Sequence, residues 1–391
     1  MKKEFSELCI SKNATMLQAM EQMDRVGHKL LMVFENDNFV GLISIGAIQR
    51  AIVRGASPKD GIAAHLRDDI VLCTTADSEE KIKSEMLRCR AEYMPIVESG
   101  GVCECVSGGV CECVSGGVEF SAESRSGGEC RVVDVVFWED VFGEKMSANN
   151  PTKRYDMPVV VMAGGEGSRL RPLTNILPKP LLPIGKKTII ETIMDRFVEI
   201  GCRRFFISLN YMADTIERYL TEHNDGRYEL FFFREDKPMG SGGSLSLIRD
   251  KIHEPFFLTN CDNILQQDLA EIVEVHRQKK NEMTVVAAVK SMKLPYGNLV
   301  VGEERNHETN ETHERVIRVE EKPEFLFRVN TGVYVMESEL IKEVPDGRYF
   351  PITDLMNIVI KRGGRVGCFP ITDGSWCDIG NWDDYCHALG R

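Results

Sequence analysis

Pro158-Val159-Val160-Val161-Met162-Ala163-Gly164-Gly165-Glu166-Gly167-Ser168-Arg169-Leu170-Arg171-Pro172-Leu173-Thr174 decides how this chain folds. Its first six residues are an unbroken apolar run, the pattern of a parallel strand buried on both faces. A Gly-rich turn follows at once, leaving backbone N–H groups bare where an anionic phosphate can approach them. Arg169 and, in Pro178-Lys179-Pro180-Leu181, Lys179 add fixed positive charge beside those amides. The stretch predicts a strand–loop site that holds the phosphates of a nucleoside triphosphate.

Spacing excludes two other phosphate loops. No Lys-Ser or Lys-Thr follows the glycines at the distance that G-x-x-x-x-G-K-[ST] requires. The dinucleotide pattern G-x-G-x-x-G begins at Gly165 and Gly167 but meets Leu170 where its third glycine belongs. The observed G-G-x-G-[ST]-R-L-x-P-L-T, continued by P-K-P-L, resembles the signature of the sugar-1-phosphate nucleotidyltransferases, also called nucleotide-sugar pyrophosphorylases.

Downstream the elements alternate. A helix over 189–198 stops at Gly201, a strand follows at 205–209, and a helix covers 214–220. Strands at 230–233 and 256–259 flank a helix that begins after Gly243. Alternation of this kind implies a Rossmann-like, mixed but mostly parallel α/β sheet with ligands at the carboxyl ends of its strands. Asp262 stands at one such end, in Thr259-Asn260-Cys261-Asp262, and Asp378 stands in Trp376-Cys377-Asp378-Ile379-Gly380. A buried carboxylate without a partner costs several kcal/mol, so each calls for a cation or a donor. Hard oxygen ligands beside phosphates favour Mg²⁺. Cys261 and Cys377, each next to one of these aspartates, read as space-filling thiols.

The resemblance spans nearly all of residues 157–385 and assigns further roles. It makes Asp262 and Asp378 the Mg²⁺ ligands. It places Gly164, Gly165, Gly167 and Ser168, with Gly240, Gly242 and Gly243 of Pro238-Met239-Gly240-Ser241-Gly242-Gly243, against the nucleotide. The base would be read by backbone around Gly164 and the 240–243 loop. On the sugar side it implies Gly297 of Tyr296-Gly297, Glu321 of Glu320-Glu321-Lys322-Pro323, and Asn330 of Asn330-Thr331-Gly332. Arg169 would stabilise the departing pyrophosphate, while Lys179 and Lys322 would draw the attacking sugar phosphate in. The implied partners are a nucleoside triphosphate and a sugar 1-phosphate.

Residues 1–142 contain a divergent duplication, opened at Cys9 and again at Leu72. Each copy reads as a helix, two strands and a closing helix. The pair resembles tandem CBS (βαββα) domains, which pack as one unit and in many proteins bind adenosine ligands. Where that family carries an Asp for the ribose, in a context like T-D-G-D-I, this chain has Ser44-Ile45-Gly46-Ala47-Ile48. An architectural or dimerising role is therefore favoured over nucleotide sensing. It predicts that residues 157–391 keep activity alone, and it leaves a homo-oligomer through the CBS pair as an expectation. Near 98–130 a low-complexity insert repeats Gly-Gly-Val-Cys-Glu-Cys-Val-Ser from Gly100 and again from Gly108. Its Cys-x-Cys spacing is not that of a zinc site and reads as a sequence expansion. Residues 143–156 read as a linker, and 157–391 as the nucleotidyltransferase domain.

Composition narrows the class. A formal charge of −12 over 391 residues and no basic patch argue against nucleic acid as a partner. No apolar stretch is long enough to span a membrane, and Met1-Lys2-Lys3-Glu4-Phe5 opens no signal core. A cytoplasmic protein is expected, and its 13 cysteines are expected to be thiols. No fused acetyltransferase of the hexapeptide-repeat kind is expected after Tyr385. Combined with the CBS pair, the resemblance points to transferases of surface-polysaccharide and legionaminate-type pathways and favours GTP, although relatives use UTP, dTTP or CTP. Two alternatives stand beside it. One is a non-catalytic, nucleotide-sensing regulatory protein, against which Arg169, Lys179, Asp262 and Asp378 weigh. The other is transfer to a non-sugar phosphate such as phosphocholine, against which the sugar-side motifs weigh.

Overall fold

Thr15 caps the helix over Met16–Val26: its hydroxyl accepts from Gln18 N, and the Gln18 side chain accepts from Thr15 N. The computed structural model describes residues 6–36, 38–67, 70–89, 91–98, 102–105, 109–112, 132–142, 153–305 and 312–389. The N-terminal domain begins with β1 (Cys9–Ser11), α1 (Met16–Val26), β2 (Leu30–Glu35), β3 (Asn38–Ser44) and α2 (Ile45–Val53). β1 runs parallel to β2, and β2 antiparallel to β3. The same order and pairing recur in β4 (Cys73–Thr74), α3 (Glu79–Cys89) and β5 (Tyr93–Val97). A hairpin of β6 (Val102–Cys105) and β7 (Gly109–Glu112) intervenes, one strand from each octapeptide copy. β8 (Val132–Phe137), antiparallel to β5, and α4 (Trp138–Phe142) close the second unit. Leu30, Met32 and Phe39 share a core with Tyr93, Val97 and Val135, so the two units pack together. The cysteine side chains of the repeat, and most of the expected linker, lie outside the described residues.

The second half is built on β9 (Val159–Met162). A small hairpin of β10 (Pro183–Ile184) and β11 (Lys187–Thr188) leads into α5 (Ile189–Glu199), capped by a reciprocal Thr188–Glu191 pair. Then come β12 (Arg204–Leu209), α6 (Ala213–Glu222), β13 (Glu229–Arg234), the short α7 (Gly240–Gly243), β14 (Phe256–Asn260) and β15 (Asn263–Leu265). After α8 (Leu269–Lys279) follow β16 (Met283–Lys293), the hairpin β17 (Asn298–Arg305) and β18 (Thr312–Glu320), and β19 (Glu324–Met336). α9 (Ile352–Lys361), β20 (Val366–Thr372), β21 (Trp376–Asp378) and α10 (Trp382–Ala388) complete the chain.

Seven strands form one sheet in the order β13-β12-β9-β14-β19-β16-β20, with β19 antiparallel to both of its neighbours. The apolar run at 158–163 is explained by this position. Val159 and Val161 enter one layer with Ile193 and Phe197, while Val160 enters the other with Leu245 and Ile248. All three valines are fully buried, as expected for a central strand covered on both faces. No described helix is long and apolar enough to cross a membrane.

The two halves share a core. Val289 of β16 is buried among the residues of α1, β2, β3 and α2, and Gln49 donates to Gln267 Oε1 at 2.8 Å inside the interface. The segment 44–48 is the start of α2: Ser44 accepts from Ala47 N, and a Cβ on Gly46 would lie 3.2 Å from Glu271 Oε1 of α8. The edge at which a ribose carboxylate was sought thus faces the second domain. Separating residues 157–391 would uncover Val289.

Removing the Thr188 cap gives a direct test of local signals. Thr188→Ala should cost about 1 kcal/mol in urea unfolding, with no change in the slope of the transition.

Candidate active site

The ends of β9, β13 and β14 and the loops at 164–169 and 238–241 line the site. β9 ends at Met162, and Gly164, Gly165, Gly167, Ser168 and Arg169 then wrap a cavity of about 380 Å³. Gly167 sits at φ +62°, where a side chain is disfavoured, and a Cβ there would approach Lys179 Cβ and Thr174 Cγ2 at 3.0 Å. Thr174 donates to the Gly167 carbonyl at 2.9 Å, and fully buried Leu170 anchors the turn from below. Gly165 has open space where a Cβ would be. The loop is held at its edges while its backbone stays accessible.

Lys179 and Asp262 meet across the cavity. Lys179 Nζ donates to Asp262 Oδ2 at 2.5 Å, and the lysine side chain is 8% exposed. The other carboxylate oxygen, Asp262 Oδ1, is buried and accepts no hydrogen bond. Asp378 is held beside it: Asn263, next to Asp262 in the chain, pairs with Asp378 across the β15–β21 ribbon, and Ile379 N donates to Asp262 O at 2.9 Å. Burial and then the neighbouring Asp262 push the Asp378 carboxyl above the usual carboxylate range, against the opposing pull of Lys179 and Arg169. A Cβ on Gly380 would lie 2.9 Å from Asp378 Oδ1 and 3.0 Å from an Arg169 nitrogen. Carboxylate and guanidinium therefore converge over that glycine.

Cysteine chemistry does not enter. Burial pushes the Cys261 thiol up to about 12, and burial followed by Asp384 and Asp378 raises that of Cys377. Both remain thiols at neutral pH.

The sugar-side motifs fall partly into this frame. Gly332 turns tightly against Asn260, a cavity residue; a Cβ at 332 would come within 2.6 Å of its Nδ2. Asn330, however, spends its amide internally: Oδ1 accepts from Gly332 N at 2.9 Å and Nδ2 donates to Tyr334 OH at 2.8 Å. Gly297 and Glu321 lie together, 3.1 Å separating a Cβ at 297 from Glu321 Oε2. Lys322 is exposed with φ +46°, and neither it nor Glu321 lines the cavity.

The 240–243 loop differs from expectation. Gly240 lines the cavity, but Gly242 and Gly243 are buried against this chain's own backbone. A Cβ at 243 would meet Arg348 O at 2.8 Å, and one at 242 would meet Phe350 O at 3.0 Å. Close approach is needed there to seat residues 348–352.

Glu235 was not foreseen. It follows β13, lines the cavity, accepts from Ser208 Oγ at 2.5 Å and from Met239 N at 2.9 Å, and so joins the end of β12 to the 240–243 loop. Its position just past a strand end is the signal that could have found it. Among the described residues no cluster of three or more acidic, His or Cys side chains forms a metal cage. The cavity itself is lined by two carboxylates, Asp262 and Glu235, and Asp378 lies beside Asp262.

Comparison with known proteins places this geometry. The family model "Nucleotidyl transferase" matches residues 158–390, and the model "CBS domain" matches residues 1–54. A probable mannose-1-phosphate guanylyltransferase 1 of Oryza sativa is 27% identical over 241 residues, covering 60% of this chain and 64% of that protein. A mannose-1-phosphate guanyltransferase of Schizosaccharomyces pombe is 30% identical over 238 residues, covering 59% and 62%. A UTP–glucose-1-phosphate uridylyltransferase of Synechocystis is 26% identical over 254 residues, covering 60% and 62%. The chain thus spans less than two thirds of the length of these relatives. Since the first match takes in more than half of its residues, the chain belongs to the nucleotidyl transferase family, with a CBS domain at its N-terminus.

Proposed function

We propose that the chain transfers a nucleotidyl group from a nucleoside triphosphate, GTP in preference, to a sugar 1-phosphate, giving an NDP-sugar and pyrophosphate for surface-glycan or nonulosonic-acid biosynthesis. The observation that carries this reading is Asp262. Asp262 lines the glycine-loop cavity, one of its oxygens is buried without a partner, and a second strand-end carboxylate lies beside it. That combination fits Mg²⁺, which is commonly held by one or two carboxylates and completed by substrate phosphates and water. Asp262 and Asp378 would be its protein ligands. When bound, the ion supplies charge neutralisation and Lewis-acid polarisation.

The chain's own residues then position and stabilise. The sugar phosphate oxygen forms the new bond to the α-phosphorus, and the bond from that phosphorus to the pyrophosphate oxygen breaks. The electron pair leaves with pyrophosphate, so no protein nucleophile is required. Amides of Gly165 to Arg169 and the Arg169 guanidinium face the departing charge. Lys179, held on Asp262, would offset the repulsion between the two anionic reactants. Lys322, exposed on its turn, is assigned to the incoming sugar phosphate and Glu321 to sugar hydroxyls.

Glu235 supports the preference for GTP. A carboxylate accepts hydrogen bonds and does not donate, and Oε1 would lie 3.4 Å from a Cβ on Gly164. Guanine presents adjacent N1–H and N2–H donors, whereas adenine presents an acceptor at N1. Two of the relatives named above are guanylyltransferases. A polar mismatch at a buried base costs about 1–3 kcal/mol, or roughly ten- to hundredfold in discrimination.

Three outcomes are expected. Asp262→Asn and Asp378→Asn should each fold normally and lose nearly all turnover, read as pyrophosphate release; near wild-type kcat at saturating Mg²⁺ would remove that residue from the cation site. Arg169→Ala should lose on the order of 10² or more in kcat. In a panel of triphosphates with hexose and hexosamine 1-phosphates, GTP should lead UTP, dTTP, CTP and ATP by at least about tenfold in kcat/KM, and Glu235→Gln should narrow the GTP-to-UTP ratio. A pyrimidine triphosphate in first place would reject the base assignment and leave the reaction class intact.

A further inference from the structure

The two carboxylates hang on a short ribbon whose far end is gripped by the N-terminal domain. β15 leads away from Asp262, β21 ends at Asp378, and the two strands pair from Asn263↔Asp378 to Leu265↔Trp376. Trp376 Nε1 donates to Asn263 Oδ1 at 3.0 Å, which ties the strands through their side chains as well. Beyond this pairing, Gln266 N donates to Ser375 O at 2.8 Å.

At that end two residues of the other domain take hold. Asp24 of α1 accepts from Thr372 Oγ1 at 2.6 Å and from Gly374 N at 2.8 Å, which pins the turn feeding β21. Gly374 is required for this contact, because a Cβ there would fall 2.6 Å from Asp24 Cγ. Lys29, just before β2, donates through Nζ to the carbonyl of Gln266 at the end of β15. One residue therefore grips each strand of the ribbon, one from the acceptor side and one from the donor side.

We propose that Asp24 and Lys29 are positioning residues for the Asp262–Asp378 pair, so that the N-terminal domain completes the geometry of the cation site from the opposite end of the ribbon. The proposal rests on reading those two aspartates as the cation site. Two like charges need a fixed separation to share one ion, and a two-stranded ribbon is marginally stable by itself. Groups that orient metal ligands from outside the first coordination sphere commonly change affinity by 10–100-fold when removed.

The test is a Tb³⁺ luminescence titration of the full-length chain with Tb³⁺ alone, sensitised through Trp376 on the same strand as Asp378. It is paired with the Mg²⁺ dependence of turnover and KM for GTP. Asp24→Ala, Gly374→Ala and Lys29→Met should each weaken Tb³⁺ roughly tenfold or more and raise the Mg²⁺ requirement, while KM for GTP at saturating Mg²⁺ stays unchanged. Gly374→Ala alters no charge, so its agreement with Asp24→Ala separates positioning from a long-range field. Asp24→Asn, which keeps one acceptor for Thr372, should recover part of the loss and decides the matter with Gly374→Ala if Asp24→Ala does not fold. Effects of Asp24→Ala and Thr372→Val should be non-additive, since both remove one contact. Wild-type Tb³⁺ affinity in Asp24→Ala and Gly374→Ala, with binding abolished in Asp262→Asn, would overturn the positioning role and leave the cation site standing. Undiminished Tb³⁺ binding in Asp262→Asn would overturn both.

Discussion

Asp262 and Asp378 lie close enough for the charge of one to raise the carboxyl of the other, and that like-charge contact is the constraint on which the reading of the site depends. Lys179 occupies one oxygen of Asp262 at 2.5 Å and leaves the other without a partner. Breaking a buried ion pair or leaving a carboxylate uncompensated costs several kcal/mol in general, so such a pair needs further positive charge. Arg169 approaches from the glycine loop and acts on Asp378 together with Lys179. In the proposed reaction the remaining charge comes from the cation that the triphosphate carries in.

The sheet explains why these groups meet. β9, β12, β13 and β14 are parallel, so their carboxyl ends open on one side and deliver the glycine loop, Glu235 and Asp262 to one cavity. Asp378 comes from the far end of the chain and is brought beside Asp262 by the pairing of β21 with β15; Gly380, two residues on, lines the cavity. Glycines permit the convergence at the tightest points: Gly167 by its left-handed backbone, and Gly380 by leaving room for both Asp378 and Arg169. Neither could carry a side chain without moving a charged group of the site.

Local pattern made the centre of this fold legible. The run at 158–163, the turn after it and the strand-end position of Asp262 all depend on neighbours close in sequence, and periodicity reports such neighbours. Gly242 and Gly243 show the limit of this reading. Their need for close backbone approach was visible, but the partner, residues 348–352, is remote in sequence and no local pattern names it. Asn330 shows another limit: its motif suggests a free amide, whereas Tyr334 and Gly332 already use it. The domain interface was the least legible part. Asp24 and Thr372 are 348 positions apart, and isolated polar residues on a helix look like a solvated face until the partner is known. The absent ribose carboxylate near Ile45 was readable, but the presence of α8 against that edge was not.

The N-terminal domain is thus joined to the seven-stranded sheet by a shared core and by polar contacts at the base of the β15–β21 ribbon. The most direct measurement of the paired-carboxylate site is an anomalous difference map from crystals of the full-length chain grown with GTP and Mn²⁺. A peak in contact with both Asp262 and Asp378 is predicted, with the triphosphate lying along Gly164 to Arg169. A metal peak that touches neither aspartate, with the triphosphate bound in the glycine-loop cavity, would contradict it.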